Sequence, residues 1–287
     1  GKGGGIYCVK TAVPTITNCI ITNCDASPSA AFGGVGGAGG VGGNFGDGSP
    51  GNPGGISGEY DGGGVYFVIE YTNTISDTEI SWNFAQDNGG GLYCGNDSLL
   101  EFTNCEIFNN DVNVGSGGGV WYGNGGTLKF DNCTVNQNQV PGSGRGGGLY
   151  GGFNGAPLTG TNVIINNSTF DGNLSQYGGG IYLDSTVLTI SEGSVISDNR
   201  AGNDGGGICL VDTDFTIDDS VITDNMAEFG GGAYWADSIA DINNCTINSN
   251  DATGTLGSAG AGLYCDCLLY TSPSPRDLST SRMPSSA

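Results

Sequence analysis

Gly89-Gly90-Gly91-Leu92-Tyr93-Cys94 decides how the chain is read, because the chain spells it nine times with small changes. GGGIYC starts at Gly3, GGGVYF at Gly62, GGGVWY at Gly117 and GGGLYG at Gly146. GGGIYL follows at Gly178, GGGICL at Gly205, GGGAYW at Gly230 and GAGLYC at Gly260. Successive first glycines lie 59, 27, 28, 29, 32, 27, 25 and 30 residues apart. A period in the twenties to low thirties, written in strand-forming residues, marks a stacked array rather than a single packed core.

More columns appear once the glycines are aligned. Each opening leads into an alternating segment, such as Leu100-Glu101-Phe102-Thr103-Asn104 or Phe215-Thr216-Ile217-Asp218-Asp219. Alternation with period two is the pattern of a half-buried strand. A shorter strand follows, as in Cys105-Glu106-Ile107, Cys133-Thr134-Val135 and Ser220-Val221-Ile222. Three residues beyond its aliphatic residue stands an asparagine: Asn83, Asn110, Asn138, Asn173, Asn199, Asn225 or Asn250, with Cys24 taking that place in the first repeat.

Three short strands in one repeat are too close in sequence to pair with each other. They can pair, parallel and in register, with the equivalent strands one turn above and below, at about 4.8 Å. The expected fold is therefore all-β: a right-handed parallel β-helix of about eight to nine coils, three short strands each, roughly 40 Å long. Glycine triplets and β-branched alternation exclude a helical solenoid. Ile6, Val65, Leu92, Val120, Leu149, Ile181, Ile208, Ala233 and Leu263 should point inward as an aliphatic ladder. The asparagines should stack at one corner, and Asn18, Asp77, Asn104, Asn132, Asn167, Asp219 and Asn244 should form a second ladder of the same kind. Glycine triplets suit corners that need positive φ or close approach of neighbouring coils.

The repeat spans residues 1–266, interrupted at 25–61 by a Gly-rich insertion, GGVGGAGGVGGNFGDGSPGNPGG at its centre, read as a loop with little to bury. From Cys267 the pattern stops, and CLLYTSPSPRDLSTSRMPSSA resembles a translated sequencing adapter, so residues 267–287 are expected to be an artefactual, disordered tail. The chain opens in mid-pattern at Gly1 without a methionine, and it is read as a fragment whose targeting sequence lies upstream.

A formal charge of −22, seven Lys plus Arg and no histidine argue against a nucleic-acid partner. A cationic partner or divalent cations would complement that charge. No apolar run reaches the length of a membrane span. Nine cysteines precede the tail: Cys8, Cys19, Cys24, Cys94, Cys105, Cys133, Cys209, Cys245 and Cys265. They stand in repeat columns and read as small buried thiols, with a disulfide within one coil, such as Cys8 to Cys19, as the other option. Without His or paired CxxC spacing, no metal centre is expected. Ca²⁺ comes to mind at Gly42–Asp47, but GGNFGD misses the GGxGxD spacing by a residue.

Two candidate sites remain. An outward column of Tyr7, Tyr66, Tyr93, Trp121, Tyr150, Tyr182, Cys209, Tyr234 and Tyr264 could hold a polysaccharide or protein partner, with Tyr93, Trp121, Tyr150, Tyr182 and Tyr234 as binding residues. The competing reading, which we favour, is that these rings simply stabilise a sheet face. Glycoside hydrolysis needs two carboxylates facing each other across a sugar. Asp212 and Asp214 are the weak catalytic candidates, although they share one loop. A lyase would also want a basic residue beside clustered acids, and Lys2, Lys10, Lys129, Arg145 and Arg200 do not recur in that way.

With GGGIYC-type openings, NCTI-type strands and corner asparagines, residues 1–266 resemble right-handed β-helix repeat proteins of bacterial surfaces. GGGI from Gly178 and Phe170-Asp171-Gly172-Asn173 are similar to the GGAI and FxxN motifs of polymorphic outer-membrane-protein repeats. The chain departs from that pattern in preferring GGG to GGA and Ile or Val to Phe. The resemblance implies a secreted or surface-displayed, adhesin-like stalk without catalysis. A polysaccharide lyase or glycoside hydrolase on the same fold is the alternative.

Overall fold

The computed structural model describes residues 3–10, 13–27, 60–69, 72–95, 98–123, 125–152, 161–254 and 260–266. Most of the 25–61 insertion, the 267–287 tail and the Gly42–Asp47 segment lie outside these residues. Every named strand pairs parallel with its counterpart one repeat away. Three sheets run the length of the body, with nine, eight and eight strands. The first collects the openings, as in Val65–Ile69, Leu92–Gly95, Val120–Tyr122 and Ile181–Asp184. The second collects the alternating segments, Ser98–Thr103 and Gly126–Asp131 among them, and the third the Cys-x-aliphatic strands such as Glu106–Phe108. Among the described residues no helix is long and apolar enough to cross a membrane.

Most coils hold a fourth strand beyond the three expected, and the coil of Thr134–Asn136 has only the bridging residue Gln139 in that place. Two-residue strands such as Phe84–Ala85 and Asp111–Val112, lengthened to Leu174–Tyr177 and Arg200–Asp204, form two further short sheets. Asp25–Ala26 belongs here, pairing with Phe84–Ala85, so the insertion starts later than its sequence suggests.

The inward columns are filled as alternation predicts. Val65, Leu92, Val120, Leu149, Ile181 and Ile208 are fully buried, and they pack with Ile75, Leu100 and Leu188 of the second sheet and Ile80, Ile107 and Ile196 of the third in one continuous core. Bulky and small residues alternate along the axis, as where Cys94 lies between Phe67 and Tyr122. Phe102 stacks on Phe130 at 5.0 Å, and Phe130 meets Phe170 edge-on.

Burying a turn of backbone requires partners for its polar groups, and the asparagine column supplies them. Asn110 Nδ2 donates to Asn138 Oδ1 at 2.9 Å and to the Ile80 carbonyl at 2.9 Å, while its backbone N–H donates to the same Asn138 Oδ1 at 3.0 Å. Asn83, Asn138, Asn173, Asn199 and Asn225 repeat this pattern.

The glycine triplet is the other half of this contact. Gly89 has φ +65°, a left-handed conformation. A Cβ on Gly90 would lie 2.5 Å from the carbonyl oxygens of both Gly118 and Asp111, and one on Gly91 would lie 3.0 Å from the Asn110 side chain. Both reasons given for the triplet, positive φ and close approach, therefore hold.

The second ladder differs from its expectation. Asn104, Asn132 and Asn167 do link coil to coil, with Asn132 Nδ2 donating to Asn104 Oδ1 at 2.8 Å, but these side chains are exposed. What the position demands is left-handed backbone: Asn18, Asp77, Asn104, Asn132, Asn167, Asp219 and Asn244 have φ between 43° and 55°. Asn and Asp tolerate that region best after Gly. Trp82 holds φ 56° in the next such column while 59% exposed.

Eight cysteines are free thiols, with Cys94, Cys105, Cys133 and Cys209 buried and Cys8, Cys19, Cys24 and Cys245 half-buried. Cys265 is the correction: it is exposed and disulfide-bonded. Cys19, Cys105, Cys133 and Cys245 share a corner column with Thr78, Ser168, Ser194 and Ser220. Cys133 Sγ donates to the Asp131 carbonyl at 3.3 Å and accepts from Cys105 N–H at 3.5 Å, as Ser168 Oγ donates to Asn166 and accepts from Cys133. Cys133→Ser is therefore expected to change stability by less than about 1 kcal/mol, the worth of one ordinary hydrogen bond, as read by denaturant unfolding.

Candidate functional site

The outer face of the first sheet carries the aromatic column, and strand register makes it a stack. Tyr7, Tyr66, Tyr93, Trp121, Tyr150 and Tyr182 follow one another with ring centroids 4.3 to 5.8 Å apart and planes within 17° of parallel. Cys209 interrupts the stack, and Tyr234 and Tyr264 resume it at 5.4 Å. Rings lying face on face present edges and hydroxyls outward, not flat platforms. Tyr66, Tyr150 and Tyr182 are buried, Tyr93, Trp121 and Tyr234 are half-buried, and Tyr7 is exposed. The column is thus covered along much of its length, which the alternation alone did not show.

A wall beside the rings accounts for part of the cover. The residues just before each first glycine, Asn88, Ser116, Arg145, Tyr177, Asp204 and Phe229, stand one per coil. Arg145 bridges to Tyr177, and Asp204 to Phe229, through backbone pairing. Asn203 Nδ2 donates to the Tyr177 hydroxyl at 2.9 Å, and Gln176 hydrogen-bonds Asn203. The Arg145 guanidinium lies over the Tyr182 ring at 5.1 Å and near Tyr177 at 6.0 Å. Tyr150, Tyr182 and Cys209 form a small apolar cluster outside the main core, with Trp121, Tyr177, Val211 and Tyr234 packed against it.

Ionisation follows that burial. Desolvation pushes the Tyr150, Tyr182 and Cys209 protons upward, with the Arg145 charge opposing in each case. Asp204 is held up at about 6, chiefly by burial and then by the charges of Glu228 and Asp266. The folded chain binds that proton more tightly than the unfolded chain does. Stability therefore falls as pH rises from about 4 through 6. Asp204→Asn is expected to be more stable than the parent at neutral pH by about 1 kcal/mol, after discounting for partial exposure, and equal to it near pH 3.5. Denaturant unfolding at the two pH values checks this.

Asp212 and Asp214 stand elsewhere. Asp212 is exposed at the corner between the first and second sheets with φ 47°, in line with Ser185 and Asp237 at φ 55° and 48°. Asp214 opens a second-sheet strand, and its Oδ1 accepts from Ile239 N–H at 3.2 Å. Their positions therefore serve the turn and the strand edge. A shallow depression of about 400 Å³, lined by Asn18, Asp77, Glu79, Asn104 and Glu106, lies on the third-sheet side, away from the rings. Among the described residues no group of three or more acidic or thiol side chains is placed to hold a metal ion.

Sequence reading found the rings but missed the wall. Its signal was present in the residue preceding each triplet, where Arg145 and Asp204 break an otherwise neutral run from Asn88 to Phe229.

The coil and its face define a class, and comparison with known proteins agrees. Residues 1–247 match the family described as right handed beta helix region. The chain belongs to that family, and its coil is a right-handed parallel β-helix. No curated protein and no solved structure matches the chain.

Proposed function

We propose that this β-helix is a non-catalytic stalk, secreted or displayed at a bacterial surface, that holds a polysaccharide or surface protein along its aromatic face. Tyr93, Trp121, Tyr150, Tyr182 and Tyr234 are the proposed contact residues. The observation that carries the reading is the unbroken register of the first sheet, nine strands with a column of rings interrupted only at Cys209 among the described residues. Where Tyr7, Tyr93, Trp121 and Tyr234 reach the surface, such a face offers a polymeric partner a series of contacts, and weak contacts add through avidity. Its interior is tied coil to coil by the asparagine ladder, which suits a stiff spacer. The strongly acidic surface favours solubility, and the role needs no cofactor.

A glycan array, with a panel of surface proteins beside it, tests the proposal. Retention of a subset of ligands is expected, weakened about tenfold in Trp121→Ala, since an aromatic contact of this kind is worth about 1.5 kcal/mol. Retention of nothing would reduce the protein to a spacer without a ligand. Release of reducing ends from a polysaccharide, abolished by Asp212→Asn or Asp214→Asn, would replace the proposal with a lyase or hydrolase.

A further inference from the structure

We propose that Arg145, poised over Tyr182 beside the Tyr150 hydroxyl, forms a subsite for one oxyanion group, a sulfate or carboxylate carried on a saccharide. The inference rests on the reading of the aromatic face as a binding surface and names what one part of it would take.

Arg145 is unusual in its surroundings. The chain has 29 acidic and seven basic residues, so a basic side chain without an acidic partner is conspicuous. Lys129 has such a partner in Asp131 at 3.2 Å, whereas among the described residues no carboxylate lies within 4.0 Å of Arg145 or of the exposed Arg200, and of these two only Arg145 lies over tyrosine rings. Tyrosine rings engage the flat face of its guanidinium. That leaves the N–H edge, with donors set in a planar fork that matches two oxygens of a carboxylate or sulfate.

The second observation lies on the neighbouring ring. Tyr150 is only 2% exposed; the Arg145 guanidinium donates toward its oxygen, and no acceptor among the described residues takes its O–H. Buried hydroxyls are ordinarily satisfied. A phenol that stays protonated can donate to an oxyanion, and desolvation keeps the Tyr150 proton on. One cation and one orphan donor thus converge at the edge of a ring stack.

Charge then limits the ligand. Asp184 and Asp204 both act on Cys209 in the same cluster, and the whole chain carries −22. A dense polyanion would be repelled, while a saccharide with a single anionic group brings one charge to one cation. The stacked rings beside it supply apolar edges for the sugar.

The test is titration of the folded chain with galactose, galactose 6-sulfate, inorganic sulfate and acetate, followed by calorimetry and by the Arg145 Nε–H NMR signal. Galactose 6-sulfate is expected to bind and shift that signal, and galactose to do neither. Arg145→Gln should weaken binding at least tenfold, and Tyr150→Phe two- to fivefold. Arg145→Lys, which keeps the charge without the fork, should fall between parent and Arg145→Gln. Lys129→Gln should bind as the parent does, and circular dichroism reports whether each variant is folded. Free sulfate binding as tightly as the sugar sulfate, with the same loss in Arg145→Gln, supports the oxyanion site while removing the saccharide from the reading of this face. Equal binding of galactose and its sulfate, no loss in folded Arg145→Gln, or no shift of the Arg145 signal with any anion overturns the proposal.

Discussion

Asn138→Ala is expected to destabilise the coil by about 3–6 kcal/mol, because it strips partners from several buried groups at once. The Asn110 backbone N–H and Asn110 Nδ2 lose Asn138 Oδ1, at 3.0 and 2.9 Å, and the Ile107 carbonyl loses Asn138 Nδ2 at 2.9 Å. Asn173 Oδ1 loses one of its two donors. Each orphaned group costs about 1–3 kcal/mol in an interior that water does not reach. In a stacked array such damage is local first, since each coil touches only its neighbours. Hydrogen exchange should therefore open at Asn110 and Asn138 before global unfolding. Asn132→Gly provides the contrast: its ladder is exposed and its φ of 54° suits glycine, so the change should stay within about 1 kcal/mol. If both variants unfold at the same denaturant concentration, the buried ladder does not have the role given to it.

Gly90→Ala should cost about 3 kcal/mol, the upper part of the range for overpacking a closely fitted interior. The added methyl would lie 2.5 Å from the carbonyl oxygens of Gly118 and Asp111, both backbone, and neither can rotate aside. Gly118 O is also the acceptor for Gly91 N–H at 3.0 Å, so relieving the clash pulls apart the bond that seats one coil on the next. Gly142→Ala separates this effect from simple left-handed strain. Its φ is +72°, but no atom lies within 4 Å of the added carbon, so only the conformational cost of about 1–2 kcal/mol applies. Thermal unfolding of the two variants side by side would show the difference. Equal losses would mean that contact between coils is not what keeps the second glycine of each triplet.

These two substitutions also show what the sequence made legible. GGG and the later Asn repeat together because they touch across the coil, Gly91 against Asn110 and Gly119 against Asn138. In-register stacking turns each column of letters into a column of atoms, so the inward aliphatics and the buried asparagines could be assigned before any coordinates. The two short sheets could not, because two residues such as Phe84–Ala85 are too few to display alternation. The exposed ladder was misjudged because Asn serves equally as a buried hydrogen-bonding group and as a left-handed corner residue. Only the surroundings of Asn104 and Asn110 tell the two apart. The cluster around Tyr182 was hidden for a different reason. Arg145 and Tyr182 are 37 residues apart in a chain whose corners vary in length, and no pattern in the letters states that a guanidinium will lie on a ring.

Variable corners around constant strands have a wider consequence. Repeats of 32 residues from Gly146 to Gly178 and of 25 from Gly205 to Gly230 close onto the same strand register, so repeat length does not set the step between neighbouring strands. Reach along that axis can change only in whole steps of about 4.8 Å. Duplicating or deleting one repeat in the gene would lengthen or shorten the rod by one such step and leave every remaining neighbour a matching partner. A lineage can therefore tune how far such a rod extends without having to redesign how it folds.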